Sequence, residues 1–131
     1  MAGTAGYNDG MGRQTSPRFV VLEHDHPFLH WDLMLEVGES LRTWRLAAPP
    51  AAGAEVEATP LGDHRRLYLD YEGPVSGDRG RVIRWDQGTF VWESEGEGLV
   101  AVRLDGVRLK GLLRLQRRTA ESWRASFEAA T

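Results

Sequence analysis

Phe28-Leu29-His30-Trp31-Asp32-Leu33-Met34-Leu35-Glu36-Val37 is the stretch that decides the fold class. Leu29, Trp31, Leu33, Leu35 and Val37 alternate with His30, Asp32, Met34 and Glu36, the period-two pattern of a strand with one face in a core. Val37-Gly38-Glu39-Ser40 then reads as a hairpin turn into a second strand over 41–46. Working outward, Phe19-Val20-Val21-Leu22 starts a strand before it, and Ala47–Gly53, with two prolines and a glycine, reads as a loop. Further runs follow at 55–59, 66–71, 80–85, 89–93, 99–104, 107–116 and 123–127. They are separated by Gly-Pro, Gly-Asp, Asp-Gln-Gly, Gly-Glu-Gly and Asp-Gly, which are turn dipeptides and tripeptides. No stretch supports a long amphipathic helix, and 119–123 allows one turn at most. Eight or nine short strands predict an all-β fold, a compact single-domain β-barrel with at most short helical turns.

The chain has 131 residues and no cysteine, with 41% hydrophobic and 27% charged residues and a formal net charge of −3. That length suits one domain with its own core. The absence of cysteine excludes a disulfide framework, a zinc–thiolate site and a cysteine nucleophile. No apolar run reaches the roughly 18–20 residues of a membrane span, and no signal peptide is evident, so a cytoplasmic protein without membrane contact is expected. The acidic balance argues against coating nucleic acid by bulk charge. Residues 1–17, rich in Gly, Ala, Asn, Ser and Thr, read as a disordered leader, and 18–131 as the barrel domain.

All four histidines lie in two segments: His24, His26 and His30, then His64. His30 and Asp32 are two apart on one strand and share a face. If the chain turns at Asp25-His26-Pro27, His24 returns beside His30. Two imidazoles and a carboxylate at one point suit a borderline divalent cation such as Mn²⁺, Zn²⁺ or Fe²⁺, with positions left open for water or substrate. By spacing alone, a metal centre and the plain polar face of an amphipathic strand stand about even. A cupin-like His-x-His-x-x-x-x-Glu reading fails, because Trp31 stands where the glutamate is needed.

Phe19-Val20-Val21-Leu22-Glu23-His24, five residues, then His30-Trp31-Asp32-Leu33-Met34-Leu35-Glu36 resembles the opening of the 3′-phosphoesterase domain of DNA ligase D. The similarity continues through Leu41 and Trp44, through Asp63-His64, Tyr68 and Glu72-Gly73, then through Gly80, Val82-Ile83 and Trp85-Asp86. It resumes at Gly88-Thr89, Leu109-Lys110-Gly111 and Trp123, and so covers about residues 18–128. The resemblance implies a compact β-barrel with one divalent metal, usually manganese, with other divalent ions such as Zn²⁺ also suited. It implies a hydrolase that trims 3′ ends of DNA or DNA/RNA during non-homologous end joining, removing a terminal ribonucleoside and then the 3′-phosphate. It further implies separate ligase and polymerase repair proteins as partners. Carried over residue by residue, His24, His30 and Asp32 match the metal ligands. His64 matches the histidine at the scissile phosphate, Tyr68 a nearby active-site tyrosine, and Glu23 a supporting acid.

The chain also departs from the family. Met34 stands where the family has a phosphate-gripping arginine, and a thioether makes no bidentate fork. Ala48 stands for the lysine of a Trp-x-Val-Pro-Lys-Gly turn, and Val56 for another basic residue. Arg42, Arg45 and Arg66 are the candidate substitutes for substrate binding; strand alternation puts Arg66, and not Arg65, on the side of His64. Loss of these charges leaves an alternative expectation, a catalytically weakened metal-bearing module that binds nucleic-acid ends or a repair partner. A second basic group, Arg103, Arg108, Lys110, Arg114, Arg117 and Arg118, is expected to be a solvated strand face.

Overall fold

In the computed structural model, residues 16–131 are described, so the expected leader lies outside the described residues except for its last two. Nine strands follow in order: β1 (Arg18–His24), β2 (His30–Val37), β3 (Ser40–Leu46), β4 (Glu55–Arg65), β5 (Gly73–Pro74), β6 (Arg81–Glu95), β7 (Leu99–Gly106), β8 (Lys110–Arg117) and β9 (Trp123–Ala129). They form one sheet, β1-β2-β3-β4-β9-β8-β7-β6-β5, and β1 also pairs with β6, which closes eight strands into a ring. All the strand pairs are antiparallel. The all-β barrel expected from the alternation is what forms. One turn of 3-10 helix, Arg66–Leu69, is the sole helical element among the described residues. No helix there is long and apolar enough to cross a membrane.

The alternation builds the barrel directly. Every strand of the ring places residues in the interior cluster, among them Phe19, Leu33, Leu35, Trp44, Phe90, Val102, Leu113 and Phe127. Trp44 meets Trp123 edge to face, with centroids 4.7 Å apart, the arrangement aromatic quadrupoles favour. Ring closure leaves the outer faces to solvent, except on one flank. There Val20, Leu22, Met34, Leu41 and Val82 form a second cluster, capped by Leu69, Tyr68, Tyr71 and Val75 from the strap that follows β4. Two ion pairs fasten the strap: Arg66 to Glu36, and Arg18 Nη2 to Asp70 Oδ1 at 2.7 Å. Burial alone would raise the Glu36 carboxyl. The Arg18 backbone N–H and the Arg66 guanidinium outweigh it and hold that group below the ordinary glutamate range.

Three sequence expectations change here. Residues 66–71 form no strand: the chain leaves the sheet after Arg65 and turns, burying Leu69 while Leu67 stays exposed. The runs 80–85 and 89–93 are one strand, β6, and Asp86-Gln87-Gly88 between them is strand and not turn. Asp86 is buried and accepts from the backbone N–H groups of Val107, Arg108 and Leu109 at 2.9, 2.9 and 2.8 Å. Gly88 lies against the backbone of Asp105 and Gly106, where any Cβ would collide. Both residues are therefore turn formers in type but serve a turn elsewhere, the one from β7 into β8. The first hairpin is as expected: Gly38, at φ +60, supplies the positive φ that a two-residue turn requires.

The basic strand residues are paired locally, Arg103 with Glu93, Lys110 with Asp105, Arg114 with Glu128 and Arg118 with Glu55. Arg108 and Arg117 lie over Trp85 and Trp123. That is the behaviour of a solvated face.

Candidate metal centre

The register of two hairpins builds the site on the outer flank. In β1–β2, His24 pairs with His30 and Leu22 with Asp32; in β2–β3, Asp32 pairs with Arg45. Paired residues of an antiparallel ladder project to the same side, so His24, His30, Asp32 and Arg45 share one face. It is the face of the outer cluster and not of the barrel interior. One donor atom from each of His24, His30 and Asp32 lies within 4.8 Å of the others, and His30 and Asp32 are 2% and 3% exposed.

Each imidazole is held by a backbone carbonyl. His24 Nε2 is 2.8 Å from Arg79 O, and His30 Nδ1 is 2.8 Å from Phe28 O. A carbonyl only accepts, so these two nitrogens carry protons, and in the neutral form of each ring the other nitrogen is a lone pair. Those lone pairs, His24 Nδ1 and His30 Nε2, lie 3.7 and 3.3 Å from the same atom, Asp32 Oδ2. Asp32 Oδ1 is buried with no hydrogen-bond partner among the described residues. With both rings neutral, three acceptors converge with no donor between them, in a place where an unsatisfied acceptor costs about 1–3 kcal/mol. A cation resolves that conflict. Two neutral imidazoles with carbonyl-anchored rings and one carboxylate are a donor set of the right chemistry for Mn²⁺ or Zn²⁺.

The Arg79 carbonyl is delivered by a turn that spacing gave no means to connect with His24. Gly77, Asp78 and Gly80 have φ of 74, 56 and 75. The turn packs on Asp25-His26-Pro27, whose His26–Pro27 peptide is cis. Asp25 Oδ1 accepts from Arg81 N at 2.8 Å, which holds the Asp25 carboxyl below its usual range. A Cβ on Gly80 would collide with Asp25 Oδ1 and come within 2.7 Å of His26 Cβ. Gly80→Ala therefore displaces the Arg79 carbonyl from His24, and a rise of about 10–100-fold in the Mn²⁺ dissociation constant is expected by calorimetry. An unchanged constant would show that the carbonyl does not orient the ring.

A pocket of ≈ 270 Å³ lies over the centre, walled by His24, Asp32, Met34, Arg45, His64 and Tyr68, with His26 and Arg79 also on its rim. His64 pairs with Leu41 in the β3–β4 ladder and so faces the outer cluster; its Nδ1–H donates to Gly62 O at 2.9 Å, which leaves Nε2 free. Tyr68 meets His64 edge to face at 6.1 Å. The helical turn after Arg65 brings the two rings together.

Of the three candidate arginines, the structure brings only Arg45 to the pocket. Arg42 shares the parity of Trp44 and faces the other way, over the rings of Trp44 and Trp92 and in an ion pair with Glu95. Arg66 lies beyond the end of β4, where alternation no longer holds, and its guanidinium is engaged by Glu36. Met34 is on the pocket wall and buried, whereas Ala48 does not reach the pocket. Arg79, which sequence reasoning missed, is on the rim with Nε donating to Ser76 O at 2.6 Å.

A closed antiparallel barrel with a histidine–carboxylate cluster on its outer flank makes this a β-barrel carrying a candidate cation site. More specifically, the chain belongs to the DNA ligase D 3′-phosphoesterase domain family, whose model matches residues 22–117. It is similar to the multifunctional non-homologous end joining protein LigD of Pseudomonas aeruginosa, with 33% identity over 104 residues that cover 72% of this chain and 12% of that protein. The chain thus spans about an eighth of the length of that relative.

Proposed function

We propose that the chain is a divalent-metal-dependent phosphoesterase that removes phosphate or a terminal ribonucleoside from 3′ ends of nucleic acid, so that the ends can be rejoined. The observation that carries this is the donor-free convergence of His24 Nδ1, His30 Nε2 and Asp32 beside His64 and Tyr68. Those three residues would hold the ion, with manganese as the assignment that family membership favours. When bound, a divalent ion supplies Lewis-acid polarisation of a phosphate oxygen.

The chain's own residues do the rest. The phosphate ester enters the pocket with Arg45 beside it, where a guanidinium neutralises developing charge on the phosphoryl oxygens. Water adds at phosphorus; the bond to the terminal nucleoside's 5′-oxygen breaks when that nucleoside is removed, and the bond to the sugar 3′-oxygen breaks when the 3′-phosphate is removed. His64, oriented by Gly62 O through its Nδ1–H, acts as the doubly protonated imidazolium: it gives the Nε2 proton to that leaving oxygen, and a proton released from the attacking water restores it. Tyr68 holds the His64 ring by its edge contact and presents a hydroxyl to the phosphate. The buried outer cluster beneath the pocket keeps water from the far side of the ligands. In this reading the chain works in the cytoplasm, alongside separate ligase and polymerase activities.

Phosphate release from a 3′-phosphate primer-template with Mn²⁺ tests this. Wild-type turnover that disappears in His30→Ala is the expected result; turnover undiminished in that variant would sink the assignment. Met34 on the pocket wall favours one rival, a metal-bearing module that binds ends without cleaving them. Tight Mn²⁺ and 3′-phosphate binding with no release is its signature.

A further inference from the structure

Next to the pocket lies a groove of ≈ 350 Å³, in the size range of small-ligand sites, walled by Phe28 and Leu29 ahead of β2, by His30 at its start, by Arg45 on β3 and by Glu57 and Thr59 on β4. Phe28 and Leu29 are 51% and 54% exposed. Two large apolar side chains stand in water directly before a buried metal ligand, although alternation alone would turn Leu29 into the core. They belong to the site's own framework, since the Phe28 carbonyl fixes the His30 ring and the Phe28 ring lies 5.7 Å from it. Arg45 lines both the groove and the pocket. Its guanidinium stands 5.4 Å from the Phe28 ring centroid, and its Nε is buried without a hydrogen-bond partner among the described residues.

We propose that this groove binds the nucleoside attached to the reacting phosphate, with its base stacked on Phe28, its sugar against Glu57 and Thr59, and Arg45 at the junction of base and phosphate. The proposal rests on the phosphoesterase reading for the phosphate and adds to it the group that selects a nucleic-acid end over other phosphate esters. Charge decides which part of the substrate lies here. The Glu57 carboxylate would repel a second phosphate but accepts hydrogen bonds from sugar hydroxyls or a base amino group, and the Thr59 hydroxyl does the same. A half-exposed ring offers the flat apolar surface that every base can use, and stacking of that kind is sequence-tolerant. Arg45, packed on the same ring, keeps a cation within reach of the phosphate ester.

The test is anisotropy binding of the Mn²⁺-loaded protein to three labelled duplexes of one sequence. The first ends in a non-hydrolysable 3′-methylenephosphonate with its terminal base. The second has the same phosphonate on an abasic residue, and the third has the base with a 3′-hydroxyl. The wild type is expected to bind the first about 10-fold more tightly than the second, within the range for one stacked base. Phe28→Ala removes that ratio, and Phe28→Trp keeps or enlarges it. Phe28 is half exposed, so the alanine variant is expected to stay folded; any disturbance of Arg45 lowers both affinities together and leaves the ratio as readout. Equal wild-type affinity for base-bearing and abasic ends would overturn the proposal, as would Phe28→Ala with full discrimination. Equal affinity for the phosphonate and hydroxyl ends instead removes the phosphate reading, and with it the premise.

Discussion

Asp32→Asn is expected to abolish Mn²⁺-dependent turnover and, in EDTA at pH 8, to raise the melting temperature of the protein. The two halves have one cause. Asparagine keeps the shape of the aspartate but lacks the charge a divalent ion requires, so affinity and phosphate release are both lost. Without metal and with both rings neutral, Asp32 Oδ2 faces the lone pairs of His24 Nδ1 and His30 Nε2, three acceptors with no donor. An amide NH2 turned toward the rings supplies donors. Satisfying one buried acceptor contributes about 1 kcal/mol, which for a domain of this size raises the melting point by about 4 °C. Thermal melts with and without Mn²⁺ read both effects. The wild type gains stability on adding metal, and the variant starts higher and does not respond. A variant that melts lower in EDTA would mean that the carboxylate has a donor and that the cluster is an ordinary hydrogen-bonded one.

The second large effect lies away from the chemistry. Asp86→Ala should lower stability by about 3 kcal/mol and the melting point by about 10 °C. The carboxylate accepts three successive N–H groups from the turn into β8, and the last of them, Leu109 N, is buried. Alanine orphans all three and leaves a small void against Phe19 and Gly106. Asp86→Asn keeps the shape and the acceptor but sets an amide NH2 against one of the donors, so its loss should be intermediate. Denaturant unfolding followed by circular dichroism separates these cases, and an alanine variant within 0.5 kcal/mol of wild type, an order-of-magnitude limit for surface changes, would refute the account.

Asp86 also shows where sequence reading stops. Asp-Gln-Gly has turn composition, yet the carboxylate and the missing Cβ serve a turn some twenty residues on, a purpose invisible in the local string. The alternation of Leu67, Leu69 and Tyr71 suggested a strand, because a helical turn that buries one residue in four mimics period two over so short a span. By contrast, the strand over 30–37 and its hairpin were legible because an uninterrupted period and a glycine at the turn agree. His24, His30 and Asp32 were legible for the same reason: one hairpin register brings all three together. The arginines were harder. Arg42 shares parity with Trp44 and Leu46, a signal of inward facing that was available in the string, while Arg66 was assigned by an alternation that ends one residue earlier. The choice of Arg45 depends on the ladder that seats it opposite Asp32. Nothing local indicated Arg79, whose carbonyl reaches His24 across 55 positions.

The three acceptors all come from residues 24–32, the two arms of a single hairpin. Their assembly therefore needs only a short loop to close, a cheap and fast local event, and not the long-range closure of β1 on β6 that completes the ring. A chain that has lost its barrel still carries most of a chelating peptide. An ion held there would share part of its affinity with the unfolded ensemble, so the stabilisation it brings would fall short of what the native dissociation constant alone dictates. Saturating metal would guard the geometry of the centre more than it guards the molecule against unfolding.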